Sequence, residues 1–433
     1  MNKIYYNERI QFIPFHDNLY TANIPETNSL LVDFDTIQCL LFARGGILLT
    51  AYIQKIREIY PKINAENLID RLIKQHFLLY APPKFIWKAE FGLSQIDENE
   101  INIVNRVLNS KRICRNTFLS IDDLIVQPFS CCKTLENRIA DIAKKKYCVV
   151  VNSCTSALEC AFHSIDIQDG DEILAPTYNY IGAASAMMHS GGIPVLCDID
   201  DSFMMNPHKL EEKITAKTKA ILCTHLQGKM AQIQKIKDIA NTYNLFLIED
   251  CAQAFGVTSL GVPAGNLGDI SCYSFHQHKL FSSGEGGAIV TDDKHLYERC
   301  VLYSDASRLF LYQEHLPGFP SHNYRMSEIH AAICLEQIKR FEFISGHLKN
   351  IFYILYESLK SISNIKMQNI EDIEGSIPQS IYITVNSSLE AKLLNKYLIS
   401  LGIPSKVLYT REQIDHHVFV YWPYILKNIG MLP

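Results

Sequence analysis

A chain of 433 residues exceeds what one ordinary hydrophobic core organises and suits two or three domains. With 48% apolar and 20% charged residues it has a soluble globular composition, and a formal charge of −5 gives no overall pull toward nucleic acid or an anionic membrane. Thirteen cysteines, an odd number without one C-x-x-C pair, argue against a disulfide framework or a zinc site and for a reducing compartment.

In chain order, residues 1–9 lack the apolar core of a signal peptide, and no uncharged apolar run reaches the roughly 18 residues of a membrane span, so a cytoplasmic location is expected. Residues 1–92 read as a separate unit ending near the paired prolines Pro82 and Pro83. Within it, 35–42, 49–60 and 64–75 have helical patterns, with Asn64 as an N-cap, and 77–80 a strand pattern. From 93 to 345, strand and helix signals alternate as a mostly parallel sheet requires. Strands are expected at 147–152, 171–175, 193–197, 219–225, 245–250, 270–275 and 287–291, and helices at 155–163, 181–189 and 233–243. One helical pattern runs from 327 to about 359, and the remainder to 433 completes a smaller domain starting at 346.

Lys279 lies between the apolar run 270–275 and the glycine-rich turn Ser282-Ser-Gly-Glu-Gly-Gly287. A lysine squeezed there is well placed to form a Schiff base, because partial burial lowers its pKa and frees the amine. Asp250 closes the strand pattern Leu245-Phe-Leu-Ile-Glu-Asp250 and is followed by Cys251-Ala-Gln253. A lysine that holds an aldehyde and a carboxylate that keeps a pyridine nitrogen protonated are the two poles that pyridoxal 5'-phosphate (PLP) needs. Asn152-Ser-Cys-Thr-Ser156 falls where a strand turns into a helix, whose first N–H groups and dipole suit a phosphate, though small hydroxyl residues there are more often plain caps.

Together these segments resemble the DegT/StrS-type PLP-dependent sugar aminotransferases over residues 118–343. The resemblance implies the fold-type-I α/β architecture, with a mostly parallel central sheet, a small C-terminal domain and PLP as cofactor. It further implies that Thr155, Ser156 and Ser274 hold the phosphate, and Cys154 stands where the family usually has glycine. In Pro176-Thr-Tyr-Asn-Tyr180 it points to Tyr180 as the aromatic lying on the ring, with Tyr178 the neighbouring candidate. Gln253 resembles the glutamine that hydrogen-bonds the ring hydroxyl, and His225 of His-Leu-Gln-Gly228 a structural support. Ser321-His-Asn-Tyr-Arg-Met326 is similar to the family's Gly-Tyr-Asn-Tyr-Arg-Met signature, which implies that Asn323 reaches the neighbouring subunit's site in a homodimer. Here Ser321 and His322 replace the glycine and tyrosine.

The implied reaction moves an amino group from glutamate or glutamine to a ketone on a nucleotide-linked sugar or cyclitol, with Lys279 and Asp250 as the catalytic pair and no metal. Related dehydratases carry histidine at the lysine position, and Lys279 counts against that chemistry. Residues 1–92 resemble a PqqD-like winged-helix unit, which leaves a peptide or carrier protein as a possible partner. A DNA-binding regulator is disfavoured, since that unit holds ten Lys and Arg against nine Asp and Glu and has no basic stripe.

Overall fold

The computed structural model describes residues 96–115, 130–308, 319–408 and 415–422 continuously. Before residue 96 it describes six short strands together with Glu58, Asn67 and Leu68. The chain divides into two compact units, residues 1–88 with 397–405, and residues 89–396 with 406–433.

In the first unit, β1 (Lys3–Tyr6) pairs antiparallel with both β5 (Ile47–Leu48) and β6 (Leu78–Leu79). A second sheet is an antiparallel meander of β2 (Gln11–His16), β3 (Leu19–Asn23) and β4 (Leu30–Asp33). The sequence reading placed no strand before residue 77. The expected helices at 35–42, 49–60 and 64–75 lie outside the described residues, except Glu58, Asn67 and Leu68, which are helical.

The second unit is built on a seven-stranded sheet in the order β7-β15-β14-β11-β10-β8-β9. Its strands are β7 (Tyr147–Val151), β8 (Glu172–Pro176), β9 (Ile193–Cys197), β10 (Thr218–Thr224), β11 (Phe246–Asp250), β14 (Ile270–Ser274) and β15 (Gly287–Thr291). Between β11 and β14 lies a small hairpin of β12 (Thr258–Ser259) and β13 (Val262–Pro263). Only β15 runs antiparallel to its neighbours, so the sheet is mostly parallel. A parallel sheet is covered on both faces, which explains why its central strands read as unbroken apolar runs. One face carries Ile221, Leu247 and Tyr273 and the other Leu222, Ile248 and Cys272, each set buried in its own core.

Helices follow strands at short loops. Cys154–Ser164 begins three residues after β7, with Ser153 as N-cap accepting from the Ser156 N–H. Ile181–His189 and Ile233–Thr242 follow β8 and β10, and Lys294–Ser304 follows β15. The pattern read as one helix from 327 to 359 is two, Glu328–Lys339 and Phe341–Leu359, separated at Arg340 (φ −91°, ψ 12°). The apolar period persists on both sides of that residue, so periodicity could not expose the break. Arg340 is anchored there by ion pairs with Asp97, at 3.0 Å, and Glu100. Further on, β16 (Lys366–Met367) pairs with β17 (Ile383–Thr384), and a helix spans Ser388–Ser400. Among the described residues all twelve cysteines are free, and no helix is long and apolar enough to cross a membrane.

Candidate active site

Parallel pairing aligns Thr224 of β10, Asp250 of β11 and Cys272 of β14 in one row. With a side-chain period of two, Asp250 and Ser274 project to the same face as the Cys154–Ser164 helix packs on. The carboxyl ends of parallel strands are where α/β sheets bind ligands, and this row ends there.

Asp250 is buried, with Oδ1 accepting from the Ala252 N–H at 3.0 Å and facing the Cys154 thiol at 3.9 Å. Burial raises its pKa, opposed by the Ala252 hydrogen bond and the charge of Lys279. Lys279 is half-buried, in a loop fixed by Lys279 N–H to His276 C=O (2.9 Å) and Gln277 N–H to Gly284 C=O (2.8 Å). Burial holds its amine below the usual lysine range, against the pull of Cys154 and Asp250, and that favours the neutral nucleophile. The structure thus brings Lys279, Asp250 and Cys154 together from three separate strand ends. Burial pushes the Cys154 thiol well up, so it stays protonated.

At the helix start, the Ser156 hydroxyl donates to Asn152 Oδ1 at 2.7 Å and lies 2.8 Å from the Ser153 hydroxyl. Its proton is therefore used inside the turn, as are the Ser156 and Ala157 N–H groups on Ser153, which leaves the Cys154 and Thr155 N–H groups and the Thr155 hydroxyl as donors at this helix N-terminus. Gly287 presses against the same turn, since a Cβ there would sit 2.4 Å from the Ser153 carbonyl carbon and oxygen and 2.7 Å from the Cys154 nitrogen. Ser274 is buried, accepting from the His276 N–H at 3.3 Å.

Tyr178 and Tyr180 separate cleanly. Tyr178 is a core residue whose hydroxyl donates to Asp415 Oδ2 at 3.2 Å. Tyr180 is 49% exposed, at the N-cap of the Ile181–His189 helix, with its ring 5.7 Å from that of His417. Gln253 is buried, its Oε1 accepting from the Gln227 N–H at 3.0 Å and its Nε2 lying 3.1 Å from His417 Nε2. His225 is wholly buried on the opposite face. Its Nδ1 accepts from the Ala231 N–H at 3.1 Å, so Nε2 carries the proton donated to Glu249 at 2.9 Å. Burial opposes ionisation of Glu249, but His225 and the N–H groups of Gly265 and Gly268 hold its pKa below the ordinary value. His225, Glu249 and Cys251 could approach one metal ion. The hydrogen bonds already commit the first two to each other and to the backbone.

Asn323 is exposed, in a segment tied to the sheet by Asn152 N–H to Tyr324 C=O (2.7 Å) and by bridges pairing Asn323 with Asp305 and Arg325 with Val151. Arg325 is an anchor and not a loose surface charge, since it pairs with the buried Asp305 at 2.6 Å. The sequence reading missed His417 and Asp415. Their only signal was the Asp415-His416-His417 cluster in an otherwise irregular tail.

These residues fit PLP. Thr224 Oγ1, in the row beside Asp250, is a buried polar atom without a hydrogen-bond partner. A buried acid, a depressed lysine, a glycine-backed helix N-terminus and an exposed aromatic supply the donor set such a cofactor requires.

Comparison with known proteins agrees with this geometry. GDP-perosamine synthase of Escherichia coli O157:H7 is 35% identical over 271 residues, covering 62% of this chain and 71% of that protein. The dTDP-3-amino-3,6-dideoxy-alpha-D-galactopyranose transaminase of Aneurinibacillus thermoaerophilus is 38% identical over 289 residues, 66% of this chain and 78% of that one. Among solved structures, NtdA of Bacillus subtilis with bound cofactor PMP superposes with a TM-score of 0.62 at 26% identity, covering 81% of this chain and 75% of that one. The sequence profile of the DegT/DnrJ/EryC1/StrS aminotransferase family matches residues 119–422, and the chain belongs to that family of PLP-dependent, fold-type-I aminotransferases.

Proposed function

We propose that this aminotransferase takes an amino group from glutamate or glutamine and delivers it to a ketone carbon on a nucleotide-linked sugar or a cyclitol. The observation that carries this reading is the convergence of Lys279, Asp250 and the Cys154–Ser164 helix start at the carboxyl ends of the strands. The names of the GDP- and dTDP-sugar relatives support a nucleotide-linked acceptor.

Bound PLP supplies an aldehyde for the amine and an electron-accepting ring. Each protein group then has a defined task. Lys279 Nζ, whose pKa burial lowers, would hold the aldehyde at rest and afterwards move a proton between the donor carbon and the cofactor carbon. Asp250 would keep the ring nitrogen protonated, and the low-dielectric setting that desolvates it would strengthen that contact. Thr155 and Ser274 would hold the phosphate, and Ser156, whose hydroxyl and N–H are both bonded inside the turn, would support them by bracing it. Tyr180 would cover a ring face and Gln253 would meet the ring hydroxyl. On this reading a two-fold dimer is the working unit, and Asn323 completes the site of a second copy.

Two measurements test this. Borohydride reduction of the PLP-loaded protein, followed by peptide mapping, should place the label on the peptide containing Lys279. A panel of amino donors, followed by absorbance, should identify glutamate or glutamine as converting the bound cofactor to its amine form. A label on another lysine, or no PLP binding, overturns the site. Conversion by neither donor overturns the donor assignment.

A further inference from the structure

Gln253 does not stand alone. Its Oε1 accepts the Gln227 N–H at 3.0 Å, which fixes which end of the amide is which. Nε2 is therefore the end that faces His417 Nε2 at 3.1 Å, and an amide nitrogen has only protons to offer. His417 Nε2 must accept, so the imidazole proton sits on Nδ1. There it meets Asp415 Oδ1 at 2.9 Å, an acceptor that needs that proton.

The far end of this chain is pinned. Asp415 is buried, and its Oδ2 accepts from the Tyr178 hydroxyl at 3.2 Å and Lys406 Nζ at 3.3 Å. Its Oδ1 also takes the His417 backbone N–H at 3.0 Å. Burial works against its charge, but hydrogen bonds from the His417 ring and backbone, with the Lys406 charge, more than offset this and hold the carboxyl well below its usual range. The segment carrying the pair is strapped to the start of the Ile181–His189 helix by Asn179 N–H to His417 C=O (2.8 Å) and Ile181 N–H to His416 C=O (3.0 Å). The Trp422 indole N–H adds a bond to the His416 carbonyl at 3.0 Å.

We propose that Asp415 and His417 are positioning residues that lock the Gln253 amide in one orientation, so that its second Nε2 proton is presented to the ring hydroxyl of the cofactor. The direction of donation is fixed along the whole line, from Gln227 N–H through Gln253 and from Gln253 through His417 to Asp415. Without the acceptor at His417, the Nε2 proton pair loses its anchor and the amide is free to turn within its pocket. The inference rests on the assignment of Gln253 to the ring hydroxyl in the function proposed above. It adds residues some 160 positions away in sequence, which act through the amide.

The test uses the full-length protein stripped of cofactor and titrated with PLP and with a PLP analogue lacking the ring hydroxyl. The unaltered protein should bind PLP about tenfold more tightly than the analogue, the discrimination of one well-placed hydrogen bond. In His417→Ala this ratio should fall toward one, through loss of PLP affinity with analogue affinity unchanged. His417→Gln, which can present an oxygen acceptor near the same place, should restore most of the ratio, an outcome a merely structural role does not predict. Independently of any variant's folding, long-range proton–nitrogen spectra of histidine-labelled protein should show His417 Nε2 unprotonated and Nδ1 protonated. A proton on Nε2, or a ratio unchanged in His417→Ala, overturns the relay while leaving PLP binding and Lys279 in place. Failure of the unaltered protein to bind PLP overturns both readings.

Discussion

At the scale of single residues, Asp250 shows how burial and chemistry combine. Desolvation alone would favour a neutral acid, which could not hold a proton on a pyridine nitrogen. The Ala252 N–H and the nearby Lys279 work against that penalty, and a cationic ring placed at the same carboxylate would do so further. Asp250→Asn preserves size and the Ala252 contact but removes the charge. It should bind PLP and keep its melting temperature within a few degrees, while single-turnover conversion of the cofactor by glutamate slows by roughly 10²–10³, or about 3–4 kcal/mol of electrostatic support. Wild-type single-turnover rates in this variant would remove Asp250 from the reaction. Lys279 and Asp250 stand out in the sequence as candidates because each carries a local signal, an acid at a strand end and a lysine before a glycine turn. Asp415, His417 and Thr224 do not, because their contacts come from partners distant in sequence. Nothing local marks Thr224 as lying beside Asp250, or His417 as facing Gln253.

At the scale of elements, the strand and helix periods of the sheet-bearing unit could be read closely, since continuous apolar runs bounded by turns admit few alternatives. The packing of later segments onto that sheet could not. The turn after β10 shows why. Gly228 has φ +74° and a Cβ there would lie 1.8 Å from the Ile377 carbonyl oxygen, so only glycine allows the 377–380 segment to close on it. That contact is sealed by Ile377 N–H to Gly228 C=O at 2.8 Å and by Lys229 Nζ to Ser380 C=O at 3.0 Å. Lys229 is 1% exposed, between the rings of Phe352 and Tyr382, and burial lowers its pKa to about 7. In the unfolded chain the same amine keeps its proton to about 10.5, so between those values the unfolded state binds more protons and stability rises with pH. Below about pH 7 the folded protein bears the full cost of a buried charge. Lys229→Met, which keeps the stem and drops the charge, should therefore be more stable than the unaltered protein at pH 6, on the order of 1–3 kcal/mol after loss of the Ser380 bond. That advantage should shrink steadily toward pH 10. Urea unfolding midpoints of the two proteins at pH 6, 8 and 10 read the trend, and a difference constant across the three would show that Lys229 does not titrate on folding.

At the scale of the whole molecule, the question is how many chains make one site. The segment holding Asn323 takes a definite path although Ser321 and His322 replace the family's glycine and tyrosine. His322 and Tyr324 stack at 4.8 Å, Arg325 grips Asp305, and Tyr324 C=O receives the Asn152 N–H beside the proposed phosphate cradle. Asn323 is exposed within that fixed segment, as the proposed role in a second subunit requires. If each site draws Lys279 from one chain and Asn323 from the other, two inactive variants should rescue each other. In a heterodimer of Lys279→Ala and Asn323→Asp, both changes fall together in one site and the other site carries neither. Mixing the two proteins under conditions of verified subunit exchange should recover activity approaching one unaltered site per heterodimer, about a quarter of the wild-type rate per chain for random reassortment of equal amounts. The tagged heterodimer, isolated by tandem affinity steps, should approach half. An inactive isolated heterodimer would place Asn323 in the site of its own chain, an active Asn323→Asp parent would place it outside the site, and either would leave the Lys279–Asp250 pairing within one chain untouched.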